Sequence, residues 1–413
     1  MSSVHALARR VGRLLRAGRS AVRYGLRIDT NPVPAEWSHV TKVDPEERKK
    51  LPLAFPRYLV HTDAISVGGS ADVTDENTAA TFALLEALPT PAFHEPSGAS
   101  HVTPETLSAA TFLAVPQVLN GEDDAFVGTF GTGVEAIREE MAPKILGAAG
   151  HVPVVGDRLA SALTDLLLSR AVVEAYIVQN PDSAAARESG VTPADVLDAA
   201  DAKRRAMAAE YVLGAEICYL EYSGTYGGDD ALAALGAIDG GLDWTRVWYG
   251  GGVDSRERAA AVLDAGADAV VVGDAFHRIA EEEATLAAEY LDAVDVEGDE
   301  DPPGAAGWLA ETVEIEDTAA ARYLSTIPSV DDPVTEARRC LAAGLIARRA
   351  LATGDVHTAD DGRLRLDGEV VSAVERAVCA GVDDPGEFAT RLVAAAVHDG
   401  ETALPSWKLA DVR

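Results

Sequence analysis

Lysine is scarce in this chain. Only Lys42, Lys49, Lys50, Lys144, Lys203 and Lys408 stand among 35 basic residues, so positive charge is carried mainly by arginine. Cysteine is scarce as well. Cys218, Cys340 and Cys379 are odd in number and scattered, which argues against a disulfide framework or a cysteine zinc site and fits a reducing compartment. The histidines show no metal-ligand spacing. No apolar run approaches the ~20 residues that cross a bilayer. A basic surface is also missing: 67 acidic against 35 basic residues leave a formal net charge of −32. Nucleic acid is therefore not an expected partner, because counterion release needs clustered cations. The acidic residues are spread along the chain. At molar salt the Debye length falls to about 3 Å and such self-repulsion is screened. The chain reads as a halophile's cytoplasmic protein.

The first thirty residues depart from this pattern. Arg9, Arg10, Arg13, Arg16, Arg19, Arg23 and Arg27 precede the first acidic residue, Asp29, and Val4, Leu7, Val11, Leu14 and Leu15 recur at helical spacing. Residues 1–30 read as a basic amphipathic arm. It can lie on an anionic membrane surface, a peripheral contact at the inner face, or pack on the acidic body of the same protein. A targeting peptide is a third reading.

From Asn31 an alternation of strands and helices begins. Strands are expected at His39–Val43, Ala64–Val67, Thr90–Phe93, Thr111–Val115, Ala175–Val178, Ile217–Glu221, Val247–Tyr249 and Ala269–Val272. Eight such strands with helical patterns between most of them predict an α/β fold, a (β/α)8 TIM-type barrel, over 31–295. Glu122 to Val173 leaves room for one or two extra helices. The breaker-rich, charged run Val296-Glu-Gly-Asp-Glu-Asp-Pro-Pro-Gly304 opens an expected linker, 296–334. Residues 335–413 read as a small, mostly helical C-terminal extension that can serve oligomerisation or a partner; a homo-oligomer is open.

Chemistry concentrates at the strand ends. Tyr249-Gly250-Gly251-Gly252 and Val272-Gly273-Asp274 end two consecutive strands in bare backbone, with a helical pattern from Arg256 to Ala265 and Gly266 between them. Inward-pointing amides there, with a helix N-terminus, suit a phosphate and point to a phosphorylated small molecule. Lys42 and Asp44 share side-chain parity at the end of the first strand, stopped by Pro45. A carboxylate there can hold Mg2+ and an ammonium can meet a phosphate, although a surface ion pair explains the same residues. Val67-Gly68-Gly69-Ser70 places a hydroxyl beside flexible backbone. Glu95-Pro96-Ser97-Gly98 ends the third strand as a similar turn. Tyr219, Glu221 and Ser223 share parity in Tyr219-Leu-Glu-Tyr-Ser-Gly-Thr-Tyr-Gly227. A buried glutamate is costly unless paired, so Glu221 is a candidate base for an attacking alcohol.

These blocks resemble the geranylgeranylglyceryl phosphate synthase family, with its bacterial heptaprenylglyceryl phosphate relatives. The resemblance spans Trp37 to Ile279. It rests on Trp37-Ser-His-Val-Thr-Lys-Val-Asp-Pro45, Thr62-Asp-Ala-Ile-Ser-Val-Gly-Gly-Ser70, Val115-Pro-Gln-Val-Leu-Asn120 and Ala175-Tyr-Ile-Val-Gln-Asn-Pro-Asp-Ser183. The Tyr219–Gly227, Tyr249–Arg256 and Val270–Asp274 blocks complete it. The resemblance implies a Mg2+-dependent prenyltransferase that joins sn-glycerol 1-phosphate to a polyprenyl diphosphate, the first ether step of archaeal lipid synthesis. It implies that Asp44 and Ser70 serve the metal and diphosphate. It also implies that Tyr219, Glu221 and Ser223 contact the glycerol phosphate, and that Gly251, Gly252 and Gly273 bind its phosphate. Lys42 would neutralise the leaving group. Asp274 stands where the family usually has asparagine. Its carboxylate either repels phosphate or turns aside as a helix cap. Two further readings are a paralogue prenylating a different phosphorylated acceptor and a non-catalytic lipid-surface scaffold that retains the barrel.

Overall fold

The computed structural model describes residues 21–26, 28–46, 49–69, 73–98, 101–122, 131, 134–135, 137–147, 155–169, 171–294, 304–353, 357–358, 364–365, 367–379 and 381–397. Eight parallel strands close on themselves in sequence order: β1 His39–Val43, β2 Ala64–Val67, β3 Ala92–His94, β4 Leu113–Val118, β5 Ala171–Val178, β6 Ile217–Glu221, β7 Arg246–Gly250 and β8 Ala269–Val272. β1 pairs with β8 through Val40 and Val271 and with β2 through Val40 and Ala64, which closes the ring. The predicted barrel is the observed one.

Three strands run longer than the sequence suggests, β7 by one residue at each end. β4 continues through Pro116, which reads as a strand stop because it has no N–H. Leu119 donates to Tyr176 O on β5. Alternation then turns the Pro116 nitrogen toward β3, whose pairing with β4 is limited to His94 and Leu113. No ladder bond is lost there. β5 begins at Ala171, where the Val-Val-Glu start hides a strand because it puts a charged residue at a lumen position.

Alternation along each strand builds two layers. Val40, Ala64, Phe93, Ala114, Val172, Tyr176, Val178, Ile217, Tyr219, Trp248, Ala269 and Val271 fill the lumen. Trp37 plugs it from the N-terminal end, its ring stacked near Phe93 and Phe112 at 6.3 and 6.1 Å. Asn31 fastens this segment by donating to Glu216 O and Trp244 O at 2.9 and 3.1 Å. Of the basic arm, residues 1–20 lie outside the described residues; the Arg23 guanidinium rests over the Trp244 ring.

The opposite faces, among them Val43, Ile65, Val67, Leu220, Tyr249, Val270 and Val272, pack against the surrounding helices. Polar caps start several of those helices. The Thr74, Ser183 and Ser255 side chains each accept a backbone N–H from the first turn, and Thr103 forms a capping box with Thr106.

The C-terminal helices belong to this same outer layer. The first helix after β1, Phe55–Leu59, is only five residues long, and Ala319–Ser325 and Pro333–Thr353 cover the space beside it. Their residues share one apolar core with the barrel. Tyr323 packs on Phe276 at 5.0 Å between ring centres and bonds Thr41 Oγ1 through its hydroxyl at 2.8 Å. His39 bonds Thr326 at 3.0 Å. The described part of the expected linker, from Gly304 on, thus contains helical turns at Ala305–Thr312, Ile315–Asp317 and Ala319–Ser325, with Trp308, Leu309, Ile315, Tyr323 and Leu324 buried. Helices at Gly368–Val378 and Pro385–Val397 follow, with Phe388 edge-on to Phe55 at 6.1 Å.

Glu283, on the helix Asp274–Val294, joins the two parts. Its buried carboxylate accepts from Leu53 N at 2.7 Å, Ala54 N at 3.2 Å and Arg348 Nε at 2.8 Å. Gly344 passes so close to it that a Cβ would overlap the carboxylate. Replacing Glu283 with alanine strands Arg348 and two amides in the core. The expected loss is about 3–5 kcal/mol of unfolding free energy, measured by urea titration.

Candidate active site

The C-terminal ends of the strands carry the charged and hydroxyl groups. Lys42 reaches from β1 across the mouth to Glu95 at the end of β3, with Nζ 2.8 Å from Oε1. Glu95 also accepts from Ser66 Oγ on β2 at 2.7 Å and from the Tyr176 hydroxyl on β5. Burial alone would raise the Glu95 pKa, but Lys42, Ser66 and Tyr176 together hold it below the usual carboxylate range. Burial opposes the Lys42 charge, and Glu95, then Glu221 and Asp44, restore it and push its pKa up. Sequence reading gave Glu95 only as part of a turn. The signal that could have found it is its parity: Phe93 faces the lumen, so Glu95 two residues on does too.

On the other side of the mouth Glu221 ends β6, 3% exposed. Ser223 N donates to its Oε1 at 2.9 Å, the Ser223 hydroxyl donates to the same oxygen, and the Tyr219 hydroxyl is its third partner. Burial raises its pKa, opposed by Lys42, Ser223 and Tyr219. Tyr219 stacks on Tyr176 with ring centres 4.5 Å apart, so the Glu95 and Glu221 groups meet through two aromatic rings.

The glycine turns lie beside this pair. Gly251 has φ +156° and Gly252 φ +49°, and Cβ atoms there would meet the Tyr222 side chain at 2.5 Å and the Thr225 backbone at 2.7 Å. Only glycine lets the β7 turn nest under the Tyr222–Gly227 turn. A Cβ at Gly250 would overlap the Tyr219 hydroxyl. Gly273 lies between the Lys42 and His277 side chains, and its carbonyl accepts from His277 N at 2.9 Å. Gly273 therefore caps the helix Asp274–Val294. Asp274 is its first residue and exposed, one position past the cap the sequence suggested, where a carboxylate still favours the helix N-terminus.

Asp44 lies past the end of β1, partly exposed. Its Oδ2 is 3.6 Å from Lys50 Nζ and 3.6 Å from His277 Nδ1. Gly69 of the β2 turn lies against its Oδ1 side. Burial lowers the His277 pKa, with Asp44 opposing. Sequence reading missed His277; its place on the first turn of the last barrel helix was the available signal. Ser70 lies outside the described residues. Lys42, Asp44, Glu221, Tyr219, Ser223, Gly251, Gly252 and Gly273 thus converge on one end of the barrel, and Asp274 stands at its rim.

Asp44 is a hard oxygen donor with no backbone N–H holding it among the described contacts. Lys42 is ringed by Glu95, Glu221 and Asp44, an excess of negative charge for its single ammonium. That donor set fits Mg2+, which takes one or two carboxylates and fills its shell with water and phosphate oxygens. Among the described residues no group of three or more metal-ligating side chains occurs.

A closed (β/α)8 barrel with this array at its C-terminal mouth is an enzyme of the TIM-barrel class. The chain belongs to the PcrB family, whose match covers residues 34–291. Geranylgeranylglyceryl phosphate synthase of Halobacterium salinarum is 34% identical over 244 residues, 59% of this chain and 89% of that one. The protein of the same name from Haloquadratum walsbyi is 33% identical, over 59% of this chain and 88% of its own. A crystal structure of (S)-3-O-geranylgeranylglyceryl phosphate synthase from Thermoplasma acidophilum with sn-glycerol-1-phosphate aligns at a TM-score of 0.43. It shows 22% identity and covers 59% of this chain and 89% of that one. The C-terminal helices lie beyond the family match.

The ion pair sets a pH window. Lowered from 4.5, Glu95 stabilises the fold above that pH, and its contribution is lost as pH falls through the folded value. Raised from 10.5, Lys42 stabilises below that pH and its contribution is lost as pH rises through the folded value. Glu95→Gln should therefore cost about 3 kcal/mol at neutral pH, with the difference vanishing in acid, as read from urea unfolding at a series of pH values.

Proposed function

We propose that this protein is a Mg2+-dependent prenyltransferase that forms an ether between sn-glycerol 1-phosphate and geranylgeranyl or a similar polyprenyl diphosphate. One observation carries the reading: Glu221, a buried carboxylate, shares the barrel mouth with Lys42 and with the glycine turns that follow β7 and β8. Family membership and the names of the similar proteins support it. The product places the enzyme at the first ether step of archaeal membrane lipids.

The amides around Gly251, Gly252 and Gly273 hold the phosphate, and Tyr219 and Ser223 fix both the glycerol and the Glu221 carboxylate. The acceptor hydroxyl gives its proton to Glu221 as its oxygen bonds the allylic carbon. The carbon–oxygen bond to diphosphate breaks, and its electron pair leaves with the diphosphate. Lys42 faces that developing charge. Asp44, with Ser70, would hold Mg2+, which supplies Lewis-acid stabilisation of the leaving group when bound. The prenyl chain needs an apolar groove, where each buried methylene contributes about 0.8 kcal/mol.

Asp274 bears on the acceptor. Exposed on the first turn, it leaves the backbone amides free and adds a negative charge at the rim. A more highly charged acceptor is disfavoured there, which ranks glycerol 1-phosphate above the paralogue reading. A scaffold would have no need of Lys42, Asp44 and Glu221 at one mouth.

Incubation in high KCl with labelled glycerol 1-phosphate, geranylgeranyl diphosphate and Mg2+ should give an organic-soluble product. None across several prenyl lengths would favour the scaffold. Glu221→Gln should lower kcat by about 10²–10⁴. Asp274→Asn should lower KM for glycerol 1-phosphate, with kcat little changed; an unmoved KM would show that the rim charge is not felt.

A further inference from the structure

Glu174 takes no part in the chemistry above, yet it lies within the barrel. β5 alternates Val172, Glu174 and Tyr176 toward the lumen. Glu174 is 0% exposed, and neither of its carboxyl oxygens has a hydrogen-bond partner among the described residues. Its register neighbours are Pro116 on β4 and Ile217 on β6, which offer no side-chain donor. The charged and titratable groups that face it are Lys42 from β1, Glu95 from β3, Tyr176 from β5, and Tyr219 and Glu221 from β6. Three carboxyls thus share one ammonium, and Lys42 is already paired with Glu95 at 2.8 Å.

A bare carboxylate in that place is among the most expensive groups a core can hold. A carboxylic acid there costs far less. Burial, then Glu95 and Glu221, push the Glu174 pKa well up, with Lys42 opposing. A chain that needed only volume here would place a leucine or methionine.

We propose that Glu174 is a positioning residue of the site, a carboxylic acid held neutral beneath the Lys42–Glu95 pair so that Lys42 stays committed to Glu95 and Glu221. The role rests on the prenyl-transfer reading. When Glu174 loses its proton, a further anion enters the lumen. It draws on Lys42, weakens the hold on Glu95, makes Glu221 harder to keep ionised, and repels the acceptor phosphate. The alkaline limit of activity then belongs to Glu174, not to Lys42 or the tyrosines.

Two readouts on the full-length protein test this. In infrared spectra at neutral pH the wild type should show a protonated-carboxyl carbonyl band that Glu174→Gln removes. In the pH profile of pyrophosphate release, the wild type should fall about tenfold per unit on the alkaline side. Glu174→Gln should match the wild type within about twofold at neutral pH and keep its activity beyond that limit. Glu174→Met provides the same comparison if the glutamine variant fails to fold. Absence of the band, or superimposable profiles, overturns the proposal. No pyrophosphate release by wild type at any pH would instead sink the prenyl-transfer reading. Calorimetric binding of inorganic phosphate would then decide the role of Glu174. Curves that diverge on the alkaline side support it, and coincident curves overturn it.

Discussion

The charge of Lys42 organises the mouth of this barrel. Glu95 is ionised because Lys42 faces it, and the Ser66 and Tyr176 hydroxyls then have an acceptor to aim at. Glu221 also depends on that ammonium, since burial alone would favour its neutral form. Without Lys42 the interior would hold carboxyls with nothing to offset them, and each would take up a proton. The two stacked tyrosines would then turn their hydroxyls toward neutral acids, and the order of the site would be lost.

Lys42 is held in turn by what lies behind it. Its neighbour Thr41 points outward to Tyr323, and His39 one turn of the strand below points outward to Thr326. Both partners come from the chain beyond the family match. Strand β1 is thus fixed from the lumen by Glu95 and from the outer layer by the C-terminal helices. The short helix Phe55–Leu59 leaves an outer face that a full-length helix would have covered. The extension covers it, so it is part of the barrel's wall and its contacts bear on the geometry of Lys42 and Asp44.

Much of this was legible in the sequence. Four strands were placed to the residue, and in three of them, His39–Val43, Ala64–Val67 and Ala269–Val272, the run stops directly or one residue before glycine or proline. Parity grouped Lys42 with Asp44, and Tyr219 with Glu221 and Ser223, because alternation along a strand is strict. Three things were not legible. Glu95 stands in a Glu-Pro-Ser-Gly turn after a three-residue strand, and turn composition masked the parity it shares with Phe93. Glu174 fell between the expected elements and was not singled out, since a charged side chain inside a barrel carries no local signature. The packing of 305–353 was hidden because helical periodicity shows that a face is apolar but not which surface it meets. Proline and acidic residues at 296–304 suggested separation, whereas the helices beyond them return to the barrel.

A chain of net charge −32 for which two polyanionic substrates are proposed faces a conflict that its architecture resolves by depth. In molar salt, surface charge is screened within a few ångströms, so there the acidic exterior contributes little to the energy of an arriving phosphate. Buried groups are screened much less. The substrates therefore feel the mouth and not the average of the molecule. There the attraction comes from Lys42, from backbone amides that carry no net charge, and from the N-terminus of the helix after Gly273. Evolution toward an acidic surface can proceed without touching these groups, because none of them is an exposed side chain. Asp274 is the exception, an acidic residue at the rim itself. Its exposed position on the first helical turn, set by the Gly273 cap, is what keeps it compatible with the proposed phosphate site.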